Sequence, residues 1–169
     1  MVPSPPLTPL AAAVLHVGDP ERILQIECGQ GDGALFLARE FPSARIRGVD
    51  SSEQRIREAA GRIGLDPEGR VAFKLGRPRR LPFPDDHFDL LAVLDGRPSP
   101  SESARVLRAG GFLVVASSRS REPLGGPSGW VLRQRLRRRG FEPVWSELAG
   151  DGSFSVERLG GAEHRSGSV

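Results

Sequence analysis

The sequence predicts an α/β fold with one doubly wound, mostly parallel sheet and helices on both faces. Segments typical of strands alternate with segments of helical periodicity along most of the chain. Two strand segments, FDLLAVL and FLVVAS, are almost continuously apolar, as in parallel strands covered on both faces. A glycine cluster follows the first strand and opens a helix, as in a tight crossover turn.

Four elements are predicted in the first part of the chain. Leu7–Val17 has helical character and ends at a Gly-Asp-Pro turn. Arg22–Glu27 is a short β-branched strand that runs directly into the glycines. Ala34–Phe41 carries apolar residues at helical spacing and is stopped by a proline. Arg45–Asp50 is predicted as the second strand.

The middle of the chain continues the alternation. A helix is predicted to begin at Ser51-Ser52-Glu53 and to run to about residue 63. Arg70–Leu75 is predicted as a strand, followed by a loop rich in proline and arginine. Phe88–Leu94 is the first of the two apolar strands. Ser99–Arg108 is predicted as a helix that the sequence Ala-Gly-Gly stops.

The last part predicts the second apolar strand, one helix and a closing hairpin. The strand is Phe112–Ser117 and the helix is Trp130–Arg139, which ends at a glycine. Glu142–Leu148 and Ser153–Leu159 are predicted as strands joined by Gly150-Asp151-Gly152, a typical hairpin turn. This pair adds one antiparallel member to the sheet.

Length and composition are typical of one globular domain. The chain has 169 residues, of which 38% are hydrophobic and 27% charged, enough for one core. We expect a single domain over residues 1–160 and a disordered tail over 161–169. No apolar run approaches the roughly 20 residues of a membrane span, and Met1–Pro9 lacks the basic start of a secretory signal. A cytoplasmic protein without membrane contact is therefore expected. One cysteine and three scattered histidines predict no disulfide and no metal site.

Arginine supplies nearly all of the positive charge. The pI is about 10.3 although the net charge is only +3, because arginine does not titrate near neutrality. The densest cluster lies at Arg133–Arg139. It is either a patch for nucleic acid or an acidic partner, or a solvated helix face. The sequence favours the solvated face, so nucleic acid is not an expected partner.

A nucleoside site is predicted where the first two strands end. Gly29, Gly31 and Gly33 follow the first strand, and Asp50 ends the second, where a carboxylate can accept both hydroxyls of a ribose. Two alternatives remain open. The glycines could form a tight turn without a ligand, or a dinucleotide site, although that site prefers a Gly-x-Gly-x-x-Gly spacing.

Four motifs in order resemble those of class I S-adenosylmethionine-dependent methyltransferases of the type 11 kind: ILQIECGQGDGALFLA, IRGVDSS, LPFPDDHFDLLAVLD and ARVLRAGGFLVVAS. The resemblance covers about Ile23 to Ser118. It implies a Rossmann-like sheet of seven strands, with S-adenosylmethionine across the ends of the first, second and fourth.

The resemblance also implies roles for individual residues. The three glycines would line the methionine and ribose portion of S-adenosylmethionine, and Asp50 would bind the ribose hydroxyls. Ser51 would lie beside the adenine. Leu94 and Asp95, which leave the fourth strand, would face the reactive methyl group. For Asp95, the sequence favours a turn or helix-capping role.

Three positions depart from the family pattern. Gln25 replaces an acidic residue and Glu27 replaces a glycine. Because side chains at i and i+2 share one face of a strand, the carboxylate could have moved to Glu27 and meet the cofactor's ammonium or sulfonium group. Alternatively, this side chain fills the space that the methionine moiety needs. Arg77 replaces an aspartate that accepts the adenine amino group, which arginine cannot do because it has only donors; it would stack on the ring or point to solvent.

Two functions follow from the resemblance. The first is an S-adenosylmethionine-dependent methyltransferase of unknown acceptor, expected to be a small molecule. The alternative is a non-catalytic relative that binds the cofactor poorly and acts as a partner or regulatory subunit. A homo-oligomer or a protein partner could close the open strand ends. No catalytic residue is identified; His16 is a remote candidate base, and Cys28 is expected to be a buried filler.

Overall fold

Seven strands and five α-helices alternate along the chain in the computed structural model, which describes residues 5–122, 124 and 126–161. The strands are β1 (Arg22–Ile26), β2 (Arg45–Asp50), β3 (Val71–Leu75), β4 (Phe88–Leu94), β5 (Leu107–Ser117), β6 (Phe141–Ala149) and β7 (Gly152–Leu159). The helices are α1 (Thr8–Ala13), α2 (Asp32–Glu40), α3 (Glu53–Gly61), α4 (Pro100–Val106) and α5 (Gly126–Arg138). A 3-10 turn, Val14–His16, follows α1.

The strands form one sheet in the order β3-β2-β1-β4-β5-β7-β6. Strands β1 to β5 pair in parallel, whereas β7 runs antiparallel to both β5 and β6. The predicted doubly wound, mostly parallel fold is therefore confirmed, including the antiparallel member and its turn at residues 150–151. The strand order reverses between β1 and β4, which is where ligands bind in such sheets.

Two apolar layers cover the sheet. One layer packs α1 and α2 against the central strands around Ile23 and Leu37, and the other packs α4 and α5 around Leu91 and Leu136. In β4 the side chains from Leu90 to Val93 are all buried, which explains its continuous apolar run. Burial of each such leucine contributes roughly 1.5–3 kcal/mol. The sheet is thus a rigid base for the loops at its carboxyl edge.

Several predicted boundaries are wrong, most clearly at β5. The Ala109–Gly111 segment does not stop a helix but belongs to the strand, which begins at Leu107. Leu107 is fully buried and pairs with Phe88, after which the register shifts around Gly110, whose φ is +82°. A glycine-containing bulge in a strand and a glycine helix stop look alike in sequence.

The helix boundaries also differ from the prediction. Helix α1 ends at Ala13 and tightens into the 3-10 turn, instead of continuing to Val17. Helix α5 begins four residues before Trp130, at Gly126. In the part of the chain that the structure describes, no helix has the length and apolarity needed to cross a membrane. The tail proposed for 161–169 lies almost wholly outside the described residues.

Candidate functional site

The turn between β1 and α2 is built on left-handed backbone positions. Glu27, Gly29 and Gly31 have φ values of +55°, +56° and +90°. The Cys28 amide donates to the Val49 carbonyl at 2.9 Å, which fixes the start of the turn against β2. Because left-handed residues alternate with ordinary ones, the chain reverses within a few residues and leaves its backbone open to close approach.

Asp50 holds this turn from the end of β2. The residue is only 3% exposed. Its Oδ2 accepts the Gly29 amide at 3.0 Å, and its Oδ1 accepts the Ser52 amide at 3.0 Å. A carboxylate oxygen has more than one acceptor site, so acceptor capacity remains on both oxygens, although Arg55 also pairs with Oδ1 at 3.8 Å. The carboxylate therefore points at the glycine turn, and Ser51 beside it is exposed.

Gln25 and Glu27 do not share a face as the strand spacing predicts. Gln25 is buried and its amide lies against Gly33 of α2, where an added Cβ would overlap it. Its Oε1 has no hydrogen-bond partner. Glu27 lies outside β1, and its left-handed backbone sends its side chain the other way, against Gly96 beyond β4. The prediction that the two side chains share a face is therefore wrong.

Glu27 presents a free carboxylate in the gap between the ends of β1 and β4. A Cβ at position 96 would overlap its Oε2, so Gly96 makes room for the carboxylate. The residue is exposed, and among the described residues its side chain has no ion-pair or hydrogen-bond partner. A non-glycine residue in the left-handed region costs roughly 1–2 kcal/mol. The Glu27 carboxylate thus lies where the strand order reverses, and the left-handed backbone that places it there costs some stability.

The two residues that leave β4 have structural roles of their own. Leu94 packs against the apolar layer on the α1 and α2 side. Asp95 has a φ of +57°, and its amide donates to the Ala116 carbonyl at 2.9 Å. Its carboxylate accepts the Ser118 amide at 2.7 Å and the Ser118 hydroxyl at 2.6 Å. Asp95 is a satisfied turn residue that joins the ends of β4 and β5.

Two cavities open at the carboxyl edge of the sheet. The first, which we call the central cavity, has a volume of about 530 Å³ and lies beside Glu27, Asp95 and Gly96. The second, which we call the arginine cavity, has a volume of about 1180 Å³ and is lined by Ser51 and Arg77 among others. Four of the site residues expected from sequence are thus divided between these two spaces, whereas Asp50, Leu94 and the three glycines line neither.

The remaining candidate side chains lie away from these cavities or are unreactive. Cys28 is buried, and desolvation together with the Asp50 charge raises the pKa of its thiol to about 12, which makes it a poor nucleophile. His16 stacks on Trp145 of β6 at 5.1 Å between ring centroids and lines neither cavity. No group of three potential metal ligands occurs within the described ranges.

The residues at this edge fit a cofactor that carries positive charge and vicinal hydroxyls. Glu27 supplies an unpaired carboxylate for the charge, and Asp50 supplies further acceptor sites beside the turn. Gly29 has nothing within 4 Å of an added Cβ, so the backbone there is open. Arg77 does not fit an adenine amino group, because it lacks an acceptor.

Sequence reasoning missed three features of this site. It did not anticipate the contact between Glu27 and Gly96 or the bond between Asp95 and Ser118, because each joins residues that follow two different strands. It also considered Arg77 and the Arg133–Arg139 cluster separately, although arginines from both parts of the chain line one cavity. Gly96, directly after a buried strand, was a signal that the chain there is approached closely.

The chain matches a family model described as a methyltransferase domain over residues 23–111. It is 36% identical over 110 residues to the fatty-acid O-methyltransferase of Mycolicibacterium smegmatis. This alignment covers 60% of this chain and 38% of the relative. It is also 36% identical over 103 residues to the ubiquinone/menaquinone biosynthesis C-methyltransferase UbiE of Geobacter sulfurreducens. That alignment covers 56% of this chain and 40% of the relative. The alignments thus span about two fifths of each relative.

Solved structures share the fold. An S-adenosylmethionine-dependent methyltransferase from Aquifex aeolicus superposes with a TM-score of 0.72 over 90% of this chain and 90% of that chain, at 17% sequence identity. At this identity the similarity shows a common architecture.

Proposed function

Because the chain belongs to the class I S-adenosylmethionine-dependent methyltransferase family, we propose that it binds S-adenosylmethionine and transfers the methyl group to a small-molecule acceptor. The observation that carries this proposal is the position of the Glu27 carboxylate. Its unpaired carboxylate lies in the gap between β1 and β4, where it can attract a cation. At 4 Å such a pair attracts by roughly 1–4 kcal/mol, depending on the local dielectric.

The cofactor would be held mainly by two carboxylates and the glycine turn. Glu27 would pair with the ammonium or sulfonium group, and Asp50 would accept the ribose hydroxyls while it keeps the turn in place. Gly29, where an added Cβ would meet nothing within 4 Å, would allow the backbone to approach the cofactor closely, and Gly31 and Gly33 would shape the turn against Phe73 and Gln25. Ser51 would lie beside the adenine.

Leu94, Asp95 and Arg77 would contact the methyl group and the adenine ring of the cofactor. Leu94 and Asp95 would form the floor under the methyl group, with Asp95 fixed by Ser118. Arg77 would not bond to the adenine amino group; its planar guanidinium could only stack on the ring. The adenine end is thus the part of the site that differs most from the family.

S-adenosylmethionine supplies a methyl carbon that its sulfonium group already activates. The chain would therefore contribute mainly alignment, by holding an acceptor in line with the methyl group and excluding water. The central cavity suits this role: it combines apolar side chains such as Leu132 with the hydroxyl-bearing Ser120 and Ser153. Its volume of about 530 Å³ is that of a small-molecule site. The relatives' named substrates, a fatty acid and a quinone precursor, are consistent with such an acceptor.

The alternative function, a non-catalytic partner or regulatory subunit, rests on the same residue. If Glu27 keeps its position against Gly96, it fills space between the strand ends that the family leaves to the cofactor. A partner protein or a second copy of the chain would then close the exposed strand ends.

Isothermal titration with S-adenosylmethionine tests the proposal. We expect saturable binding at one site per chain, with weak affinity in the micromolar to millimolar range because Arg77 removes an adenine contact. S-adenosylhomocysteine should bind at the same site. Flat heats at millimolar concentrations of both compounds would overturn the enzymatic proposal in favour of the alternative.

A further inference from the structure

The arginine cavity collects positive charge from three separate parts of the chain. The loop after β3, the loop after β4 and the C-terminal end of α5 surround a space of about 1180 Å³. Seven arginines line it: Arg77, Arg79, Arg80, Arg97, Arg135, Arg138 and Arg139. Three serines also line it, and none of its lining residues is acidic.

These seven guanidinium groups lack the carboxylate partners that some arginines elsewhere in the chain have. Arg62 pairs with Asp32 at 2.6 Å, and Arg108 pairs with Asp89 at 3.3 Å. Within the described residues, no side chain of the seven makes an ion pair or a hydrogen bond, and all seven are exposed. These guanidinium groups are therefore available to bind an anion.

The helix contributes to the cavity with one of its two arginine-bearing faces. Glu157 of β7 is buried, which raises the pKa of its carboxyl group to about 7. The charges of Arg133 and Arg137 act in the opposite direction and lower this pKa. The other arginines at this end of the helix are those that line the cavity. The interpretation of the cluster as a solvated face alone is therefore incomplete.

The loops that carry the other arginines are held in place. The backbones of Arg77 and Arg80 pair with each other, with the Arg80 amide donating to the Arg77 carbonyl at 3.0 Å. Arg105 of α4 then clamps the following residues, donating to the Leu81 carbonyl at 3.0 Å and to the Phe83 carbonyl at 2.8 Å. The backbone of the loop after β3 is thus fixed without a ligand, while its arginine side chains stay exposed.

We propose that the arginine cavity, whose margin at Ser51 and Arg77 the adenine ring would share, binds a small ligand that carries two or more phosphate groups at its remaining arginines. Guanidinium groups match phosphate oxygens with paired hydrogen bonds, and a single phosphate could engage only a few of the seven. The volume is slightly above that of typical small-molecule pockets, whereas a nucleic acid requires an extended basic surface. Arg97 and Leu132 line both cavities, so the organic part of the ligand has a path towards the central cavity.

Titration with inorganic tripolyphosphate at 150 mM salt tests this site without knowledge of the natural ligand. We expect one saturable site per chain, and at least tenfold weaker binding of orthophosphate. The double variant Arg135→Ala/Arg138→Ala should lower the affinity for tripolyphosphate at least tenfold. The control Arg39→Ala/Arg57→Ala removes the same charge from exposed positions that do not line the cavity, and it should change the affinity less than twofold.

Three results would overturn the proposal. The first is the absence of saturable heat up to millimolar tripolyphosphate. The second is an equal loss of affinity in both double variants, which would indicate a general effect of net charge. The third is tighter binding of a single-stranded oligonucleotide than of tripolyphosphate, which would assign the surface to nucleic acid. Circular dichroism of both variants establishes that each remains folded.

Discussion

Replacement of Asp50 by alanine is expected to abolish measurable binding of S-adenosylmethionine. The carboxylate accepts the Gly29 and Ser52 amides and is proposed to accept the ribose hydroxyls. Loss of two hydrogen bonds to a charged acceptor removes on the order of 3 kcal/mol or more, equivalent to a loss of affinity of over 100-fold. Isothermal titration of the variant measures this directly.

The Asp50→Asn variant is the matched control. Asparagine keeps the shape of the side chain but only one acceptor oxygen, so it can retain one of the two amide bonds and should bind with intermediate affinity. If Asp50→Ala binds S-adenosylmethionine within twofold of the unaltered chain, the cofactor does not lie beside β2 and the proposed placement is wrong.

The second large effect is expected at Gly31. An added Cβ there would lie 2.9 Å from Cζ of Phe73 and 3.1 Å from Cβ of Ala59, in a residue whose φ is +90°. Overpacking typically costs 1–3 kcal/mol, and the left-handed backbone adds roughly 1–2 kcal/mol. Gly31→Ala should therefore lower the free energy of unfolding by about 2–5 kcal/mol in a urea titration.

Gly29→Ala separates the two causes. Gly29 has a similar left-handed backbone, with φ +56°, but nothing lies within 4 Å of its added Cβ. This variant should lose only about 1–2 kcal/mol, the cost of the backbone alone. Equal destabilisation by the two variants would show that Phe73 does not pack under the turn.

The order of the elements could be predicted from sequence because it depends on local signals. The apolar run of β4 indicated a strand buried on both faces, and Ser52 indicated the start of α3, where its hydroxyl accepts the Arg55 amide at 3.3 Å. The start of β5 could not be predicted, because the Ala-Gly-Gly sequence has the same local preference in a bulge as at a helix end.

The site could be predicted in part for the same reason. Asp50 was placed correctly at the end of β2, since the strand and its terminal acid are consecutive in sequence. The direction of Glu27 depends on its φ and on the space left by Gly96, a residue 69 positions later. The convergence of Arg77, Arg97 and Arg135 likewise depends on the packing of distant segments.

The central claim is that Glu27 replaces the family's acidic contact and attracts the cofactor, instead of obstructing it. The most direct test compares the affinity of the unaltered chain for S-adenosylmethionine with those of Glu27→Gln and Glu27→Gly. We predict that both variants bind S-adenosylmethionine about tenfold more weakly. A smaller loss for S-adenosylhomocysteine would assign Glu27 to the sulfonium group, and an equal loss would assign it to the ammonium group, which both compounds carry. Tighter binding of both compounds by Glu27→Gly would contradict the account, because it would show that the side chain occupies the space the cofactor needs.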